Sequence, residues 1–367
     1  MHGPCWSSVV LQKRIIQGLL TLCVILKAIS LSAQTEEKIE ALWSASIDFF
    51  FDNREYNSKF NRSQTLFGQR LAPELGISFN EFHSIMVGIN FLSEFGAHPV
   101  VQANDYIAYY QYKSKKFNGY AGLIPRAKSL NKYAYSFFSD SIAYYIPNIS
   151  GFMVQYHGDQ GYVEIGLDWN SMISYTNREK FLFFLGSRFH FGSLYGGLQA
   201  SMYHHGTTHL DDEIVDNMLL YPYLGVDLTQ TTRFDLFDVR VGWMQAFQNV
   251  REYIGEYVYP NGFQADICLE KWRFGINNTL YVGQNLMPYW EGLSPNLDYG
   301  AGLYWGDPFY RTESMYNRLE FYWQPVIGNR LFFRISSVHH YDGQRWSWQQ
   351  MVRFMVNMGQ NRLVKQR

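Results

Sequence analysis

The stretch Gly161-Tyr162-Val163-Glu164-Ile165-Gly166-Leu167-Asp168-Trp169-Asn170 carries the plainest structural signal in this chain. Val163, Ile165, Leu167 and Trp169 form one set; Tyr162, Glu164, Gly166, Asp168 and Asn170 form the other. A strand sends successive side chains to opposite faces, so one face here suits lipid and the other suits water. The same alternation recurs along most of the sequence. Only closed barrels and helices satisfy their backbone polar groups within lipid, and repeated segments of this kind describe a transmembrane β-barrel.

Neighbouring segments extend the pattern. Over 43–53, Ala45, Ile47, Phe49 and Phe51 oppose Ser46, Asp48 and Asp52. Over 345–357, Trp346, Trp348, Val352, Phe354 and Val356 oppose Ser347, Gln349, Arg353 and Asn357. Sixteen candidate strands can be counted, within a range of 12–18: 43–53, 65–80, 82–95, 104–113, 116–125, 149–157, 161–171, 180–191, 193–204, 217–230, 235–248, 262–270, 271–281, 315–324, 329–340 and 345–357. The fold class is therefore all-β, an antiparallel up-and-down transmembrane barrel. Strands 65–80 and 116–125 sort poorly, and Pro125 weakens the end of the latter because it donates no ladder hydrogen bond.

The connections alternate in length. Lys113 to Lys116, Gly158 to Gln160, Thr231 to Phe234 and Pro325 to Gly328 are short and contain turn formers. Residues 54–64, 126–148, 205–216, 249–261 and 282–314 are long. Short periplasmic turns alternating with long extracellular loops mark outer-membrane barrels.

Composition agrees. Aromatic residues make up 18% of the chain and charged residues 17%, the latter below the roughly 25% of ordinary soluble proteins. Aromatic girdles around a polar interior account for both. Mean hydropathy is −0.23, which excludes a bundle of spanning helices. A net charge of −1 excludes an electrostatic footprint for nucleic acid. Lys13 and Arg14 precede an apolar run from Ile15 to Leu26, and Leu31-Ser32-Ala33 offers a cleavage site. These residues predict a signal peptide over 1–33, one barrel domain over 34–358 and a short basic periplasmic tail over 359–367. With Cys5 and Cys23 removed, Cys268 is a lone space-filling thiol.

The chain resembles the general porin class of Gram-negative outer-membrane proteins, through its signal peptide, its sixteen alternating strands and the final amphipathic strand Trp346–Met358. The resemblance is one of architecture and covers nearly the whole mature chain. The tail Gly359 to Arg367 departs from the terminal aromatic residue common in that class. It implies an outer-membrane location, contact with membrane lipid and with the barrel-assembly machinery, and a homotrimer as one assembly.

The interior register collects the candidate pore lining: Asp48, Glu164, Asp168, Arg188, Asp238, Arg240, Asp266, Arg273, Arg318, Glu320, Arg334 and Arg353. Opposed Arg and carboxylate rows set solute selectivity in a water-filled pore; alternatively they pair across strands as a structural network. The expectation is a porin-like channel for passive diffusion of small hydrophilic solutes. A closed barrel acting as receptor or scaffold through its aromatic loops is the alternative, and those rings would otherwise pack the loops against the rim. Gly166, Gly186, Gly242 and Gly275 favour open volume. No cofactor is called for. His204, His205 and His209 with Asp211, Asp212 and Glu213 are residue types that suit a metal, but their spacing matches no motif, and the metal expectation is none. His83 near Ser84 and His190 near Ser187 lack the context of a hydrolase, so the chain is expected not to be an enzyme.

Overall fold

The computed structural model describes residues 39–359, apart from 100, 102, 211–212, 292–299 and 326–329. The expected signal peptide, the tail beyond Gly359, the Val326–Gly328 turn, Asp211 and Asp212 lie outside the described residues.

Sixteen antiparallel strands close into one barrel in chain order. They are β1 (Glu40–Glu55), β2 (Gln64–Ser78), β3 (His83–Glu94), β4 (Ala103–Lys113), β5 (Phe117–Pro125), β6 (Asn148–Gly158), β7 (Gly161–Ser171), β8 (Lys180–Phe191), β9 (Leu194–His205), β10 (Val215–Asp227), β11 (Leu236–Val250), β12 (Asn261–Lys271), β13 (Phe274–Gly283), β14 (Met315–Trp323), β15 (Leu331–Tyr341) and β16 (Trp346–Gly359). Closure is made by β1 and β16, paired from Ser44↔Gly359 to Glu55↔Trp348. The predicted strand set is thus present, with boundaries shifted by a few residues.

Faces follow the pleat. In β7, Glu164 and Asp168 are buried inward while Ile165 is 46% exposed on the outside. β2, whose alternation reads poorly in the sequence, alternates cleanly: Leu66, Arg70, Ala72 and Glu74 point in, and Phe67, Leu71 and Leu75 point out. The pattern is hidden because this interior accepts apolar side chains. Pro125 closes β5 opposite Asn148, at the strand end, where a missing donor costs little.

The interior is packed on the long-loop side. Residues 126–147, 284–291 and 300–314 turn inward and form a plug containing α1 (Asp140–Tyr145), α2 (Gly300–Leu303) and two single 3₁₀ turns, Arg126–Lys128 and Pro308–Arg311. Phe137, Tyr144, Tyr289, Tyr304, Phe309 and Tyr310 are buried there. Each buried ring contributes about 1.5–3 kcal/mol of hydrophobic stabilisation. The two segments join through Asp307 N to Tyr135 O (2.7 Å) and Ser139 N to Trp305 O (2.9 Å). Between plug and wall, the gap lined by Phe137, Leu182, Gln248 and Trp305 has about 40 Å³ of water-sized space, room for a few waters.

The glycines read as open volume are filled. A Cβ on Gly166, Gly242 or Gly275 would strike the ring of Phe184, Tyr221 or Tyr322, and one on Gly186 would strike the plug residue Asn131. Small wall residues receive large interior ones, so the interior packs at the density of a core.

Candidate functional site

The interior charges divide by height. Near mid-barrel they hold the plug. Glu164 accepts from Leu130 N (2.7 Å), Ser129 Oγ (2.5 Å) and Gln155 Nε2 (2.7 Å). Asp168 pairs with Arg126 at 2.5 Å and accepts from Ser150 N at 2.8 Å. Arg318 joins wall to plug: it pairs with Glu320 (3.2 Å) and with Asp140 on α1 (3.3 Å), and lies 4.2 Å from the Tyr135 ring centroid. Asp266 accepts from Arg240 Nε (3.0 Å), Tyr221 OH (3.2 Å) and Thr279 Oγ1 (2.7 Å). Closer to the short-turn rim, Arg188 pairs with Asp238 (2.7 Å) and Arg353 with Asp48 (2.6 Å), while Arg334 lies 3.6 Å from Glu320. Arg273 is a correction: it sits at φ 73° in the turn between β12 and β13, outside both strands, because the hairpin needs its reversal one pair later than the alternation implies.

Within the plug, Asp307 caps the Pro308–Arg311 turn by accepting from Phe309 N at 3.1 Å. Burial pushes its carboxyl up to about 6. His205 is buried at the end of β9, and Glu213 pairs with Arg178 at 3.4 Å. Among the described residues, no group of three or more His, Cys, Asp or Glu side chains could hold a metal ion.

The outward face near the long-loop rim carries an arrangement that the sequence reading missed. Ser337 Oγ lies 3.1 Å from His339 Nε2 on β15. Two residues apart on a strand, they share a face. Directly across from Ser337 on β16 is Gln350, whose Oε1 accepts from Asn53 Nδ2 of β1 at 2.7 Å. Asn53 in turn accepts from Thr65 Oγ1 at 2.7 Å and donates to Glu55 Oε1 at 3.3 Å. His339 opens onto a groove of about 390 Å³, also lined by Glu55, Asn57, Trp346, Ser347 and Trp348. Trp346 and Trp348 are 61% and 53% exposed, which sets this groove at the height of an interfacial aromatic belt.

The sequence-selected pairs are separated by the same pleat rule. His83 points outward to Tyr110 OH (2.5 Å), and its neighbour Ser84 is buried inward. Arg188 Nε donates inward to His190 Nε2 (3.1 Å), and Ser187 faces out. The signal that finds the same-face pair is Ser337-Val338-His339: serine and histidine two apart within an alternating strand.

The barrel resembles solved outer-membrane proteins. Pseudomonas aeruginosa OccK8 (OprE) superposes with a TM-score of 0.52 at 10% identity, covering 87% of this chain and 98% of that one. The loop L8 deletion mutant of OmpT, an outer-membrane protein of Vibrio cholerae, gives 0.51 at 10% identity, covering 87% and 99%. The in-vitro folded OmpT, described as a trimer form, gives 0.51 at 8% identity, covering 87% and 99%. At such identities the likeness is one of fold. Among curated proteins none matches this chain. The profile of a family described as "Lipid A 3'-O-deacylase-type" matches residues 40–361. That match overturns the expectation of a barrel without enzymatic activity, since the family is described by one. Alternation and composition could not carry this, because they report on the wall of a barrel and not on its chemistry. With the match running from the first strand to the last, the chain belongs to the lipid A 3'-O-deacylase-type family.

Proposed function

We propose that this protein is an outer-membrane esterase that removes an acyl chain from a lipid A-type glycolipid at the outward-facing Ser337–His339 pair. The 3.1 Å Ser337–His339 contact beside a groove at belt height carries the reading. Acyl esters of a glycolipid lie at the boundary between headgroup and hydrocarbon, the level of the aromatic belt. His339 Nε2 takes the Ser337 proton as Oγ attacks the acyl carbonyl. The ester C–O bond breaks, and His339 returns the proton to the leaving alkoxide. A water deprotonated by the same nitrogen then releases the fatty acid. Gln350, with Oε1 held by Asn53, turns its NH2 toward the developing oxyanion. Glu55 stands in the same cross-strand row as Trp348 and His339 and lines the groove beside them.

The porin-like channel for small solutes is the second reading. Its support is the architecture, and it requires the plug to withdraw; the filled interior favours the esterase. Orientation with long loops outward, export by a signal peptide and assembly as a homotrimer belong to either reading.

The test is mass spectrometry of lipid A incubated with the folded protein in vesicles. Ser337→Ala and His339→Ala should each lower acyl release by roughly 10²–10⁴-fold while the barrel stays folded. A folded Ser337→Ala variant that deacylates at the parental rate would move the chemistry elsewhere.

A further inference from the structure

The plug fills the long-loop half of the barrel, and its lowest segment presents a cation to what lies beneath. Lys132 is pinned by its carbonyl, which accepts from Gln199 Nε2 of β9 at 2.8 Å. Its side chain is surrounded by barrel wall and yet exposed to solvent. Its charged neighbours are Arg334, Arg188 and Asp238, all near the short-turn ends of their strands. Arg188, Arg334 and Arg353 point inward and are themselves partly exposed, so solvent reaches the interior as a vestibule on the side of Lys132 away from the plug.

The charges in that vestibule are unevenly satisfied. Arg334 and Arg353 stand directly opposite each other on β15 and β16, both pointing inward. Like charges in such a pair repel. Arg353 is neutralised by two bonds to Asp48, at 3.0 and 2.6 Å. Arg334 has only the 3.6 Å contact to Glu320, which already serves Arg318 at 3.2 Å. The Nε of Arg334 has no hydrogen-bond partner, and its guanidinium lies 3.7 Å from the Tyr322 ring centroid, which fixes its plane. Among the described residues no ion pair joins Lys132 to a carboxylate. Partial burial, and then the charge of Arg334, push the Lys132 ammonium below its ordinary value.

The geometry points to a second site in this protein, separate from the outward groove: Lys132 and Arg334 bind a small oxyanion, a phosphate or carboxylate group, that enters the vestibule from the periplasmic side. A planar guanidinium and an ammonium with spare donors match the oxygens of such a group. The described plug residues fill the long-loop side above Lys132, so on this reading the ligand and the glycolipid approach from opposite sides of the membrane. Cys268 faces Asp238 across the β11–β12 pair, on the vestibule wall, and serves as a reporter.

The experiment uses the folded full-length protein in detergent, with Cys5→Ser and Cys23→Ser so that only Cys268 is labelled, inorganic phosphate as the probe and citrate as the carboxylate arm. Calorimetry reads binding, and the rate of Cys268 labelling by a small charged thiol reagent reads occupancy. Phosphate, citrate or both should bind and slow labelling. Lys132→Met and Arg334→Gln should each weaken binding at least tenfold, with Lys132→Arg retaining it and Ser337→Ala binding as the parent does. Absence of binding by the parent protein, or equal binding by both charge-removing variants, overturns the site. Lys132 projects into solvent, so its variant reports on binding without a folding defect.

Discussion

Replacing Arg318 by Met should loosen the plug by an amount the structure allows to be worked out. The side chain is 2% exposed and bonds Glu320 and Asp140 at 3.2 and 3.3 Å. Each charge-assisted hydrogen bond contributes about 1.5–3 kcal/mol, and the stacking on Tyr135 about 0.5–2 kcal/mol. Against this stands the removed cost of burying a guanidinium, several kcal/mol. What remains behind is well served: Glu320 keeps Ser336 at 2.7 Å and Asn277 at 3.1 Å, and Asp140, 23% exposed, reaches water. The net loosening is therefore about 2–4 kcal/mol, which raises the open population by a factor of roughly 30–1000. Planar-bilayer recordings should find the parent protein silent and Arg318→Met flickering open, and hydrogen exchange over 126–147 should rise in step. Asp140→Asn, changed at the exposed end of the same pair, should give a smaller effect in the same direction. Stable open steps from the parent, or an Arg318→Met barrel as silent and as protected as the parent, would refute the plugged interior.

Other outcomes follow from single contacts. Asp307, with its folded pKa near 6 against 3.8 unfolded, stabilises the plug fully below pH 3.8, and this contribution is lost as pH rises through 6. Asp307→Asn keeps the cap and should abolish that dependence, making the plug about 3 kcal/mol more protected at pH 7 in pH-resolved hydrogen exchange. Gly275→Ala puts a Cβ 2.0 Å from Tyr322 Cζ and should cost about 1–3 kcal/mol in denaturant unfolding. An unshifted midpoint would mean that the ring moves freely. Loss of acyl release in Ser337→Ala and His339→Ala remains the check on the proposed chemistry.

The wall of this barrel was legible because lipid enforces the pleat: Ile165 and Trp348 must face out, and Glu164 and Gln349 must face in. The interior was less so. Residues such as Tyr304, Phe309 and Tyr310 lie in segments without period, so nothing local distinguishes a ring on the rim from one in the lumen. Interior charge was read either as pore lining or as a structural network, and Glu164 and Asp168 receive plug donors at 2.5–2.7 Å. The outward pair was legible in principle, since Ser337 and His339 stand two apart. It was passed over because the sequence reading paired His83 with Ser84 and His190 with Ser187, which the pleat places on opposite faces.

The seam between β1 and β16 joins the two strands most distant in the chain, through twelve residue pairs from Ser44↔Gly359 to Glu55↔Trp348. Until that seam zips, every partial sheet has two raw margins whose amides and carbonyls find no water in a bilayer. Contacts of such long range are made late, after most of the loop entropy is already spent. Insertion and seam formation must therefore be one event, completed only when the last strand has been delivered. A chain cut short before Trp346 keeps its first strand on β2 but leaves that strand's other edge unmated, an invitation to a neighbour's strand.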